Sequence, residues 1–253
     1  MTVQHADKTD LQKLKTLAKA LLYMEPEKTE YSPVVIHHPF ASSAIVALKD
    51  ADGSFKIGNI LDSQEALHQW QKQMGEIIES ADSPIGITIH ITKPYLLGFV
   101  KYAAPSLSAE DYAKVLADAW IRSESPNNDP NLSRRNILSM FQAADPTVLM
   151  DAEERAQLES FDDTVTVYRG VSTSKPGSVK ALSWTLDREV AQWFASRYGR
   201  QGAVYEAKID KKHIHALFLG RNESEVIVDP QYLMEVHQVQ NMAMDIQEHQ
   251  QMQ

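Results

Sequence analysis

Hydrophobic and polar positions follow two periods along this chain, helical in its first half and middle and strand-like toward its end. Leu11, Leu14, Leu17, Leu21 and Leu22 recur on one helical face. They predict a helix over 9–24, with Thr9 and Gln12 spaced as a capping box. After a polar connection at 25–33, short strands are expected at 34–36, 44–48 and 55–60. Asp52-Gly53 between the last two is a hairpin signal, because glycine accepts a positive φ. A helix from Asp62 to about Glu79 follows. Residues 85–91 alternate isoleucine with small or polar residues and read as a strand ended by Lys93-Pro94.

From 95 to 160 the pattern is helical. Ser108 caps a helix with Tyr112, Val115, Leu116, Ala119 and Trp120 on one face. A loop rich in Ser, Pro, Asn and Asp spans 123–130. A further helix runs through Ile137, Leu138 and Phe141 and is broken by Pro146, and a last short one covers 151–158. From Thr164 the period becomes two, with strands at 164–167, 203–209, 214–219, 225–228 and 233–239. The helix capped by Asp187 interrupts them, with Val190, Ala191, Phe194, Ala195 and Tyr198 on its buried side. The fold class is therefore α+β. A soft boundary at 103–107 separates an N-terminal α/β lobe (1–103) from a second domain (104–245). The Gln-rich tail, 246–253, is expected to be disordered.

The 253 residues suffice for a buried core, and the chain has no cysteine, which excludes disulfides, thiolate catalysis and cysteine-held metal. The polar first residues lack the apolar stretch of a secretory signal, and no apolar run approaches the roughly 20 residues of a membrane helix. No membrane association and a cytoplasmic location are expected. A net charge of −9 argues against broad phosphate-driven binding of nucleic acid. A local basic groove from Arg134, Arg135, Arg188, Arg197, Arg200 and Arg221 stays open. No metal is expected. His37 and His38 are adjacent and face opposite sides of a strand. His213 and His215 share a face but lack a third ligand, and Lys211 and Lys212 flank them. The 125–131 loop lacks the order of a calcium loop.

Three polar punctuations stand within the apolar runs of the second half: Tyr168-Arg169-Gly170, Ser183-Trp184-Thr185 and Glu223-Ser224-Glu225. The guanidinium of Arg169 is always charged and can grip phosphate through parallel hydrogen bonds. Ser183 and Thr185, two apart on a strand, point together, with Trp184 turned oppositely into the core. The Ser183 hydroxyl both donates and accepts, and so can brace a ribose oxygen or a carboxylate. Glu225 can stabilise a developing oxocarbenium charge as the carboxylates of glycosidases do, and the same spacing puts Glu223 beside it.

In order and in strand context, these motifs resemble those of the arginine–serine–glutamate class of mono-ADP-ribosyltransferases, over about 116–239. The resemblance implies a core of two packed, mainly antiparallel sheets with flanking helices and a cleft between the sheets. NAD would be consumed there as a substrate. No Rossmann fingerprint is present to bind it otherwise. Arg169, Gly170, Ser183, Thr185 and Tyr168 are the NAD-binding residues implied. Gly170 would leave backbone open to the carboxamide, and Tyr168, Phe194 or Phe218 would lie near the nicotinamide. Glu225 is the essential carboxylate, Ser183 acts with it, and Glu223 faces the acceptor. Because guanidinium pKa values lie above ~12, alignment and partial neutralisation are the first roles of Glu223. The Glu-x-Glu pair favours protein arginine as acceptor. RNA or another nucleic acid, modified by the toxin of a toxin–antitoxin or phage-defence system with a neutralising antitoxin as partner, is the alternative. NAD hydrolysis without an acceptor, a phage-borne enzyme acting on host proteins, and an inactive binding module are the other readings. Residues before 103 match nothing in the family's common core.

Overall fold

The computed structural model describes residues 5–124, 126–171, 179–197 and 202–239. Ser125, Tyr198, Arg200 and the 246–253 tail lie outside the described residues. The chain forms two compact units, residues 1–149 and 150–253.

In the first unit, helix α1 (Leu11–Leu22) is capped by Asp10, whose carboxylate accepts from the Lys13 amide. Thr9 is not the cap. Its hydroxyl donates to Asp111 and accepts from the Ser108 amide, tying the N-terminal segment to a later helix. Two small antiparallel ribbons follow, β1 (Glu27–Lys28) with β2 (Ile36–His37) and β3 (Ile45–Lys49) with β4 (Phe55–Asn59). The second ribbon turns at the expected glycine, Gly53 having φ 87°. Helix α2 (Gln64–Ser80) starts two residues later than the sequence pattern suggests, on a Ser63 cap.

The expected strand at 85–91 is instead a short helix, α3 (Pro84–Thr88), followed by a turn. Ser83 caps it by accepting from the Gly86 amide, and Pro84 pre-sets its first φ. These start signals override the alternation of isoleucines. Ile87, Thr88 and Ile91 are buried while Ile89 is exposed, which is a helical rather than an alternating pattern.

Helices α4 (Leu96–Ala103), α5 (Ala109–Arg122), α6 (Arg134–Ala143) and α7 (Pro146–Leu149) complete this unit. Ser108 caps α5 as expected, Glu110 and Asp111 lie in its first turn and Arg122 in its last, matching the helix dipole. Tyr112, Leu116, Ala119 and Trp120 are wholly buried, and the Trp120 ring meets Phe141 edge-on at 5.0 Å. Pro146 ends α6 and opens α7. The boundary expected at 103–107 is not a gap between bodies. Helix α4 packs on both α1 and α5, and the amides of Ala6 and Asp10 donate to Leu107 and Ser106 carbonyls. The N-terminal segments and helices up to 149 share one core, so the division falls at 149/150.

His38, 1% exposed, accepts from the Phe40 amide at its Nδ1 and donates from Nε2 to the Met24 carbonyl. That pattern requires the neutral ring, and burial holds its pKa below the ordinary 6.5. The unfolded chain therefore takes up a proton near pH 6.5 that the folded chain refuses. The contribution of His38 to stability is full above that pH and is lost as pH falls below it. His90 and His215 are shifted down by burial in the same sense. As pH falls below about 6.5, stability should fall, with a slope from any one histidine of at most about 1.4 kcal/mol per pH unit. Denaturation curves of His38→Gln should show a shallower fall than the native protein, and identical slopes would contradict the assignment.

The second unit opens with α8 (Ala152–Ser160), started by a complete capping box of Asp151 and Glu154. Six strands follow: β5 (Thr164–Val171), β6 (Ser183–Thr185), β7 (Ala203–Asp210), β8 (Ile214–Phe218), β9 (Glu225–Val228) and β10 (Met234–Val239). Helix α9 (Arg188–Ser196) lies between β6 and β7 in sequence, and Asp187 caps it by accepting from the Glu189 and Val190 amides. Every strand pairing is antiparallel, in the order β10-β7-β5-β6-β9-β8. The described strands of this unit thus form one hydrogen-bonded sheet where two packed sheets were expected. Its halves are unequally joined. β5 and β7 pair from Thr164↔Asp210 to Val171↔Ala203, whereas β5 meets β6 at the single pair Tyr168↔Thr185. Strand β5 also continues through Tyr168-Arg169-Gly170 instead of ending there. Helix α9 packs across β5 and β7. No described helix is long and apolar enough to cross a membrane.

Candidate active site

The narrow join between the two halves of the sheet is where the three polar motifs meet. Arg169, on β5, donates from Nη1 to the Ser183 carbonyl on β6. The hydroxyl of Ser183 donates to Oε1 of Glu225 on β9. Arg169 and Glu225, 56 positions apart in the sequence, are therefore connected through one serine. The pairing of β6 with β9 explains the second contact. Thr185 stands directly opposite Glu225 and Ser183 opposite Ile227, so Ser183 and Glu225 are diagonal neighbours on one face, within reach of a long side chain. Trp184 turns the other way, is 2% exposed, and donates its indole N–H to the Ala181 carbonyl at 3.1 Å, as the alternation predicts.

Glu225 is buried, and its second carboxylate oxygen lies 3.5 Å from Nη2 of Arg221. The same nitrogen is 3.0 Å from Oε2 of Glu223. Glu223 and Glu225 are thus brought together, but not by strand alternation. Glu223 precedes β9 in a turn where Arg221, Asn222 and Ser224 have φ of 76°, 54° and 43°. Left-handed backbone at non-glycine residues costs about 1–3 kcal/mol per residue and gathers at functional sites. Several contacts hold the turn. The Thr185 hydroxyl donates to the Glu223 carbonyl at 2.6 Å, the Leu186 amide to the Ser224 carbonyl at 3.1 Å, and the Leu219 amide to Oε1 of Glu154 at 2.9 Å. The other oxygen of Glu154 accepts from the Asp151 amide in the capping box, so α8 and the turn share one buried carboxylate.

Several of the expected site residues also have structural contacts of their own. The Thr185 hydroxyl, buried, also accepts from the Asp187 amide at 3.0 Å. It thereby ties the glutamate turn to the start of α9. Gly170 is explained by packing. A Cβ there would lie 1.9 Å from the Ala191 carbonyl oxygen and 2.6 Å from the Ala195 nitrogen, so α9 occupies the space that a side chain at this position would need. Tyr168, on the same side of β5, packs against Ala191, Ala195 and Val204. Phe218 is 2% exposed within β8. Phe194 meets Trp193 edge-on at 4.9 Å, and the Arg197 guanidinium lies 5.2 Å from the Trp193 ring centre. Glu154 was missed as a site residue, and Arg221 was named only as part of a basic groove, not beside the glutamates. Nothing in their local sequence marks them, since each acts through contacts that only the fold creates.

The arrangement is thus a guanidinium, a hydroxyl and a buried carboxylate in series. Comparisons with protein-family models, with curated proteins and with solved structures returned no match.

Proposed function

We propose that this protein is an NAD-dependent mono-ADP-ribosyltransferase acting on a macromolecular acceptor, with protein arginine favoured. The observation that carries this reading is the meeting of Arg169 and Glu225 on Ser183. In the proposed reaction Arg169 holds the pyrophosphate of NAD, and Ser183 sets the carboxylate of Glu225 against the ribose 2′-hydroxyl. The bond between the ribose C1′ and nicotinamide breaks, and its electron pair leaves with nicotinamide. Glu225 opposes the positive charge left on the ribose. The acceptor nitrogen then donates its pair to C1′, and Glu223 aligns it and takes up the proton released. A neutralising antitoxin and a cytoplasmic setting belong to the same proposal.

NAD labelled in its adenylate phosphate, incubated with the purified protein and a cell lysate, tests it. Label in protein supports the favoured acceptor, and label in RNA moves the acceptor to nucleic acid with the same cleavage step. Free ADP-ribose alone makes the protein a NAD hydrolase. No turnover overturns the proposal. Glu223→Gln should lower transfer by about 10²-fold, the lower end for loss of a positioned acid–base group, and NAD cleavage by much less. Equal losses in the two assays would remove Glu223 from the acceptor side.

A further inference from the structure

One arginine already stands where the proposed acceptor would. Nη2 of Arg221 lies 3.0 Å from Glu223 and 3.5 Å from Glu225, between the carboxylate assigned to the acceptor and the one assigned to the ribose. We propose that Arg221 is an intramolecular acceptor, so that the protein ADP-ribosylates itself at this residue. The inference rests on the transferase reading above.

The geometry supports it in three ways. The reacting group is a guanidinium, the chemistry that the Glu-x-Glu pair is expected to receive. Its approach is set by the chain, because Glu223 and Glu225 follow two and four residues on, across a turn with left-handed backbone at Arg221 and Asn222. Prior placement of a reacting nitrogen beside its partners replaces a bimolecular encounter with an intramolecular one. The Arg221 side chain is also 40% exposed, so a bulky adduct has room to extend outward while the carboxylates stay in place. In the reaction the C1′–nicotinamide bond breaks and a C1′–Nη bond forms. Nicotinamide leaves with the bonding pair, and one guanidinium proton passes to Glu223. NAD and the chain supply every atom. The modified Arg221 can no longer bridge the two carboxylates, so the modification alters the very contact that directs it.

The test is to incubate the purified full-length protein with NAD and no other acceptor, measuring released nicotinamide and mapping adducts by peptide mass spectrometry. The expected result is nicotinamide release with about one ADP-ribosyl group per chain, on Arg221, and a first-order rate constant that does not change on dilution. Arg221→Lys, checked for folding by circular dichroism, should lose the adduct at that position. Nicotinamide release with Arg221 unmodified, adducts only at other residues, or labelling that slows on dilution would each overturn self-modification at Arg221 and leave the transferase reading standing. No nicotinamide release would likewise overturn self-modification, and the same assay with a cell lysate added would then decide the transferase reading by itself.

Discussion

Glu225→Gln is expected to lower ADP-ribosyl transfer by about 10²–10³-fold, the loss typical when one preorganised electrostatic group at a reacting centre is removed. The substitution is nearly isosteric. The side-chain oxygen that accepts from Ser183 is kept, and the buried position on β9 is filled as before. What disappears is the negative charge. A neutral amide gives little opposition to the cation that forms as nicotinamide leaves, and the exclusion of water from a side chain only 8% exposed magnifies that difference. Denaturation midpoints of the native and variant proteins should stay close while initial rates separate. A variant that transfers at the native rate would remove Glu225 from the chemistry. One that fails to fold would make its role structural.

Gly170→Ala should act on stability instead, destabilising the second unit by about 3 kcal/mol or more, at the top of the range for overpacking. The obstruction is backbone on both sides. The Ala191 carbonyl oxygen and the Ala195 nitrogen of α9 both fall well inside contact distance of an added methyl, and no rotamer change relieves them. The helix must move off β5, away from the strand that carries Arg169. Chemical denaturation followed by circular dichroism measures the loss. A stability within about 0.5 kcal/mol of native, the usual scale for surface changes, would mean that the close approach of α9 to β5 is wrong.

These two residues also separate what the sequence made legible from what it did not. Ser183, Trp184 and Glu225 were readable because a strand has a fixed period, and the β6–β9 register places them as that period requires. The α5 helix was readable because its Ser108 cap, acidic first turn and apolar face agree. α3 was misread where signals disagreed, the alternation of isoleucines competing with Ser83-Pro84. Gly170 shows a different limit. A glycine beside an arginine gives no sign of whether its missing side chain makes room for a ligand or for a helix, and here α9 arrives from residues 188–196. The contacts of Thr185, Glu154 and Arg221 were hidden for the same reason. Their partners are the glutamate turn, a distant amide and two carboxylates, set by left-handed backbone that ordinary side chains seldom adopt. The domain boundary at 149/150 was missed because helices α4 to α7 resemble a new beginning in sequence yet pack back against α1.

The most direct measurement is the fate of the nicotinamide bond. Purified protein and NAD labelled in the nicotinamide ring, with an excess of a small guanidino acceptor, should yield free nicotinamide. The rate should fall at least about 10-fold on changing Arg169 to Lys, because a point charge replaces a bidentate grip. NAD recovered intact from the native protein, with acceptor protein and RNA also supplied, would contradict the account.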